Sequence, residues 1–154
     1  MKICFICTAN VCRSYLAQEL LKDYCLKNGI KDVEVISRGI MAQSYFIVPQ
    51  KIKDFLAANG IVSGPHTPSL VGKEDIESCS LVLAMTAPQV DVLHDKYPQH
   101  IGKIHLFLDY TLATPADMPD PIAQTGRGFE RIALLIKHGV NALGQKIEEQ
   151  KPPQ

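Results

Sequence analysis

Eight residues near the N-terminus, CTANVCRS (7–14), place two thiols, an asparagine, a guanidinium and a hydroxyl side by side. A loop running from a strand end into a helix start turns its backbone N–H groups toward one centre, and the helix dipole adds positive potential there. Thr8, Ala9, Asn10, Val11, Cys12, Arg13 and Ser14 would then cradle a phosphate-sized anion. Arg13 adds a bidentate fork for two of its oxygens. Cys7, beneath the anion, is favoured as a thiolate in such a field, and the Ser14 hydroxyl can hydrogen-bond the sulfur. The chemistry this predicts is in-line attack of Cys7 on phosphorus.

Cleaving a phosphate monoester also requires an acid for the leaving oxygen. ADMPDPI (116–122) offers Asp117 and Asp120. Asp120, stiffened between Pro119 and Pro121, is the candidate, and an ordinary turn aspartate is the alternative. Cys4 and Cys7 form a C-x-x-C pair, but on a strand their side chains face opposite ways. No second Cys/His pair follows at zinc spacing, so neither a metal nor any cofactor is expected. A thioredoxin-like role would place the first thiol at the helix start, and here the helix starts near Arg13. Cys4, Cys25 and Cys79 are expected as small core residues.

These groups need elements to hold them. KICFIC is a short β-prone run, and Leu16, Leu20, Leu21 and Tyr24 follow at helical spacing up to Asn28-Gly29, a helix end. VEVIS (33–37) is expected as a second strand, PQKIKDFLAANG as a helix with Pro49 in its first turn, and KEDIESC as a short helical turn. LVLAM (81–85) is expected as a strand, APQVDVLHDKY as a helix and KIHLFL (103–108) as the fourth strand. A last helix carries Ile132, Ala133, Ile136, Val140 and Leu143 as one stripe between Phe129 and Ile147. The alternation predicts a single α/β domain over 1–150, with a four-stranded parallel sheet between helical layers. Residues 151–154 (KPPQ) are expected as a disordered tail. In such sheets ligands bind beyond the carboxyl ends of the strands, where the CTANVCRS loop lies.

The 154 residues suffice for one core, and 16 basic against 16 acidic side chains leave no global field for nucleic acid or membrane surfaces. Five cysteines, an odd number crowded at one end, do not form a secreted disulfide framework. The apolar run Ile3–Cys7 is too short for a signal core or a membrane span. A cytoplasmic protein with reduced thiols is expected.

With CTANVCRS after an N-terminal strand and Pro119-Asp120-Pro121 in the last third, the chain resembles the low-molecular-weight protein tyrosine phosphatases over nearly its whole length. The resemblance implies a flavodoxin-like sheet and a metal-free, two-step mechanism. Cys7 would be the nucleophile, Arg13 the phosphate clamp and Asp120 the acid, then the base. It also implies a supporting network of Asn10, Ser14, Ser37 and His66. Read alone, Ser37 is a strand-end serine and His66 a surface-loop histidine. The chain departs from the family pattern at Ala9, where glycine would permit a positive φ, and at Tyr15, where proline is usual. Ile122 and Ala123 stand where aromatics usually wall the substrate ring; Tyr45 or Phe46 are candidates to replace them.

The expected partners are therefore phosphotyrosine-containing proteins, with inorganic phosphate and other oxyanions as inhibitors. Arsenate reduction on the same scaffold is an alternative, disfavoured because only Cys79 lies in the later chain to relay a disulfide. A non-catalytic phosphate-binding module is another, and a phosphocysteine carrier a third. Cys7 and Cys12, five apart in a curled loop, are expected to close a reversible disulfide that protects the oxidised nucleophile. The alternative for Cys12 is a buried filler.

Overall fold

The computed structural model describes residues 1–152. Four strands, β1 (Lys2–Cys7), β2 (Glu34–Gly39), β3 (Leu81–Ala84) and β4 (Ile104–Leu106), form a wholly parallel sheet in the order β2-β1-β3-β4. The chain winds outward from β1 to β2, then crosses back to β3 and on to β4. The strand order therefore reverses beside β1, whose last residue is Cys7.

Alternation along β1 sorts its side chains between two cores. Ile3, Phe5 and Cys7 join one cluster with Leu16, Leu20 and Leu21 of α1 (Arg13–Lys27) and Ile132, Ile136 and Val140 of α6 (Gly126–Glu149). Cys4 and Ile6 face the other cluster, with Ile76 of α3 (Lys73–Ser78) and Leu93 of α4 (Ala87–Lys96). The sheet is thus covered on both faces, which permits strands as apolar as KICFIC and LVLA. Asn28 caps α1, and Gly29 turns the chain with φ +65°, which a side chain would resist. Among the described residues no helix is long and apolar enough to cross a membrane.

The structure corrects several boundaries. The fourth strand does not run over 103–108: Lys103 closes a 3₁₀ turn (Pro98–Lys103), β4 stops at Leu106, and Phe107 opens α5 (Phe107–Leu112). A six-residue apolar run is compatible with either geometry. Tertiary packing decides, with Phe107 edge-on against Phe5 at 5.9 Å between ring centroids. Pro49 is the N-cap of α2 (Gln50–Ala58), one residue ahead of the first turn. β2 begins at Glu34 and runs on to Gly39. Of the expected tail, Lys151 and Pro152 are exposed, and 153–154 lie outside the described residues.

Candidate active site

The loop from Thr8 to Cys12 joins β1 to α1, and its carbonyls are tied outward. Cys7 O accepts from Ile40 N at 3.0 Å, Thr8 O from Met41 N at 2.9 Å, Asn10 O from His66 Nε2 at 2.8 Å, and Cys12 O from Leu16 N at 2.8 Å. In a planar trans peptide the following N–H points the opposite way. The amides of Thr8, Ala9, Val11 and Arg13 are thereby turned toward the loop's inner side, where an anion would sit. Gly39 backs the loop so closely that a Cβ there would lie 2.5 Å from Thr8 O.

Asn10 holds this shape. It is fully buried and has φ 61°, the left-handed region that asparagine tolerates better than most residues. Its Nδ2 donates to Ser14 Oγ and Ser37 Oγ, each at 2.9 Å, and its Oδ1 accepts from Ser69 N at 3.0 Å. Its own N–H donates to Cys7 Sγ at 3.3 Å. Ser14 Oγ lies 2.9 Å from Cys7 Sγ. Because that hydroxyl already accepts from Asn10, its proton is free for the sulfur. By the same accounting Ser37 Oγ donates to Gln18 Oε1 at 2.8 Å. Two N–H or O–H groups therefore point at Cys7 Sγ, the arrangement that stabilises an anionic sulfur.

Arg13 is buried, and its Nη1 donates to Met118 O at 2.9 Å. Its Nη2 stands 3.7 Å from Asp120 Oδ2. The guanidinium thus bridges the loop and the segment from Met118 to Asp120. Asp120, half exposed, accepts Ile122 N at 3.0 Å through Oδ1, leaving Oδ2 toward the pocket. Asp117 accepts Ala87 N at 2.7 Å and is occupied at the start of α4. Cys7, Thr8, Ala9, Val11, Cys12, Arg13, Asp120 and Ile122 line a pocket of about 130 Å³.

Most of the expected residues converge here. Asn10 and Ser14 hydrogen-bond the sulfur without lining the pocket, and Ser37 and His66 connect to it only through Asn10. Tyr45 is exposed and Phe46 packs on the core; neither lines the pocket, so they supply no aromatic wall. Ala9 does not need the positive φ that glycine would permit, since that φ falls on Asn10. Tyr15 does more than replace a preorganising proline: its buried ring stacks on His66 at 4.1 Å and its hydroxyl donates to Glu19 Oε1 at 3.3 Å. Burial holds His66 below its ordinary value, against the pull of its bond to Asn10, so the neutral ring donates through Nε2. Burial first, then the Asp120 and Cys7 charges, push Cys12 up to about 12, with Lys51 and Arg13 opposing.

Gln18, Gly39, Lys51, Ser69 and Gln89 also reach the site, and of these only Gln89 carries a sequence signal. Gln89 donates to Thr8 Oγ1 at 3.1 Å while its Oε1 accepts from Met85 N and Thr86 N, each at 3.1 Å. A glutamine at the N3 position after a threonine N-cap was the available sign of a capping box, though not of its reach into the loop.

Residues 2–152 match the family model for low molecular weight phosphotyrosine protein phosphatases. The chain belongs to that family. Among low-molecular-weight phosphatases, one of Bacillus subtilis, a protein-tyrosine-phosphatase, is 28% identical over 158 residues, covering 98% of both chains. A protein-arginine-phosphatase of Geobacillus stearothermophilus is 32% identical over 150 residues, 97% of this chain and 98% of that one. The crystal structure of a low-molecular-weight phosphotyrosine phosphatase from Vibrio cholerae superposes with a TM-score of 0.90 at 27% identity, covering 99% of each chain. This chain is accordingly a phosphatase of the low-molecular-weight family, with the four-stranded parallel sheet of its solved relatives.

Proposed function

We propose that the protein hydrolyses phosphotyrosine in protein substrates, without a metal ion, through a phosphocysteine on Cys7. The observation that carries this reading is the pocket itself, where Cys7, Arg13 and Asp120 meet and the remaining wall includes apolar Ala9, Val11 and Ile122. An aryl ring is accommodated by such a wall, whereas a guanidinium asks for acceptors. Asp120 is the one carboxylate in the lining, and Thr8 Oγ1, which accepts from Gln89, keeps a single further acceptor site.

Catalysis then runs in two balanced steps. The Cys7 thiolate attacks phosphorus while Arg13 and the inward amides hold the equatorial oxygens. The P–O bond breaks, the leaving phenolate takes the Asp120 proton, and phosphocysteine forms. Water, losing its proton to Asp120, then attacks phosphorus. The S–P bond breaks, the thiolate is received by Ser14 Oγ–H and Asn10 N–H, and phosphate departs. Inorganic phosphate and other oxyanions inhibit by occupying the same cradle.

Phosphoarginine is the second reading, supported by the Geobacillus relative and by the lack of an aromatic ring in the lining. Arsenate reduction is poorly supported: Cys79, with Cys4, lies in the cluster on the opposite face of the sheet from Cys7. A cytoplasmic setting, in which Cys7 and Cys12 close a protective disulfide under peroxide, completes the proposal. The test compares phosphate release from one peptide carrying phosphotyrosine or phosphoarginine, with a chelator present. Faster release from phosphotyrosine is expected. The reverse order reassigns the substrate, and no release from either leaves a binding module.

A further inference from the structure

The segment that carries Asp120 has little to hold it. From Pro119 to Arg127 every residue but Pro121 is exposed, and no helix or strand runs through it before α6. Its strongest tether comes from elsewhere in the chain. Lys51 Nζ donates to the carbonyls of Pro121 at 2.7 Å, Ile122 at 2.6 Å and Gln124 at 2.8 Å. An ammonium has three donors, so this one is fully committed to a single loop. It also stands 5.3 Å from the centroid of Phe129, which keeps it over the start of α6.

The position of Lys51 is locally unfavourable. It lies in the first turn of α2, where the helix dipole opposes a cation, and that turn contains no acidic residue to compensate. A residue that breaks a local rule is accounted for by what it does elsewhere, and here that is the carbonyl clamp. Its charge also reaches the pocket, where it acts with Arg13 on Cys12.

We propose that Lys51 is a positioning residue for the proton donor: by gathering the Pro121, Ile122 and Gln124 carbonyls it holds the backbone beside Asp120 and so keeps that carboxyl at the pocket. The proposal rests on Asp120 being the general acid, and the experiment separates the two. Lys51→Met keeps the length of the side chain and removes its donors. The quantity to measure is kcat/KM, which reports the steps up to phosphocysteine, for aryl phosphates of graded leaving-group basicity. With basic leaving groups Lys51→Met should lose about 10- to 10²-fold, the scale of a small misplacement of a catalytic group, and with activated esters much less. Lys51→Arg should recover most of that loss, and in an Asp120→Asn background Lys51→Met should add nothing further. Equal losses across leaving groups, no recovery with arginine, or losses that multiply in the double variant would overturn the role of Lys51. An Asp120→Asn protein with no leaving-group dependence would overturn the general-acid reading, and the Lys51 proposal with it.

Discussion

Cys12 is the residue whose environment bears most directly on control. It is buried at the N-cap of α1 and shares the pocket lining with Cys7. On the proposed redox reading, peroxide would convert the Cys7 thiolate to a sulfenic acid, releasing hydroxide, and attack by Cys12 would then form the disulfide and expel a second hydroxide. The attacker in that step is the thiolate, and Cys12 is pushed up to about 12. Far below that value its thiolate fraction rises about tenfold per pH unit, so closure should accelerate by that factor between about pH 6 and 9. Stopped-time alkylation followed by peptide mass measurement gives the rate. Wild type should regain activity in dithiothreitol, whereas Cys12→Ser should pass to sulfinic acid and stay inactive. A pH-independent rate, or equal recovery in the two proteins, would return Cys12 to a packing role.

At the scale of elements, the site depends on β2 pressing against the loop between β1 and α1. Gly39 pairs with Cys7 across the two strands, and a Cβ at 39 would also meet Ala42 Cβ at 2.9 Å and Asn10 N at 3.1 Å. Two of those three contacts are backbone atoms, which do not swing aside. Gly39→Ala should therefore destabilise by about 1–3 kcal/mol, as overpacking does, and should lower kcat and weaken phosphate inhibition together, because the displaced atoms belong to the cradle. A variant with wild-type kcat but a lower melting temperature would show the loop to be independent of β2.

For the molecule as a whole, proton linkage runs from the pocket to the far end of α1. Tyr24 is raised from 10.0 to about 12, chiefly by its bond to Glu148 across to α6, and Cys12 from 9.0 to about 12, chiefly by burial. Both folded values exceed the unfolded ones, so at alkaline pH the unfolded chain releases these protons first. The stability they contribute is complete below about pH 9 and is lost as pH rises toward 12. Melting temperatures measured across that window should fall steadily, and Cys12→Ser, which has no thiol to titrate, should flatten the decline. Parallel curves for the two proteins would show that Cys12 takes no part.

The sequence by itself determined the parallel α/β architecture and pointed to Cys7 and Arg13, while leaving Asp120 open between a proton donor and an ordinary turn aspartate. Alternating apolar periods and the C-x5-R-S spacing are local signals, set by residues within a few positions of one another. Resemblance supplied the outline of the network through Ser37 and His66. Only the tertiary structure decided the rest. Asn10, not Ala9, takes the strained backbone, because its side chain finds Ser14, Ser37 and Ser69 on three separate segments. Phe107 turns helical where its period read as strand, because Phe5 lies ready to pack against it. Lys51, Gln89 and Gly39 belong to the site through hydrogen bonds or close approach to residues 70, 81 and 31 positions distant in the chain. Contacts of that span leave no periodicity or motif, since what selects the residue is the surface that folding brings opposite it.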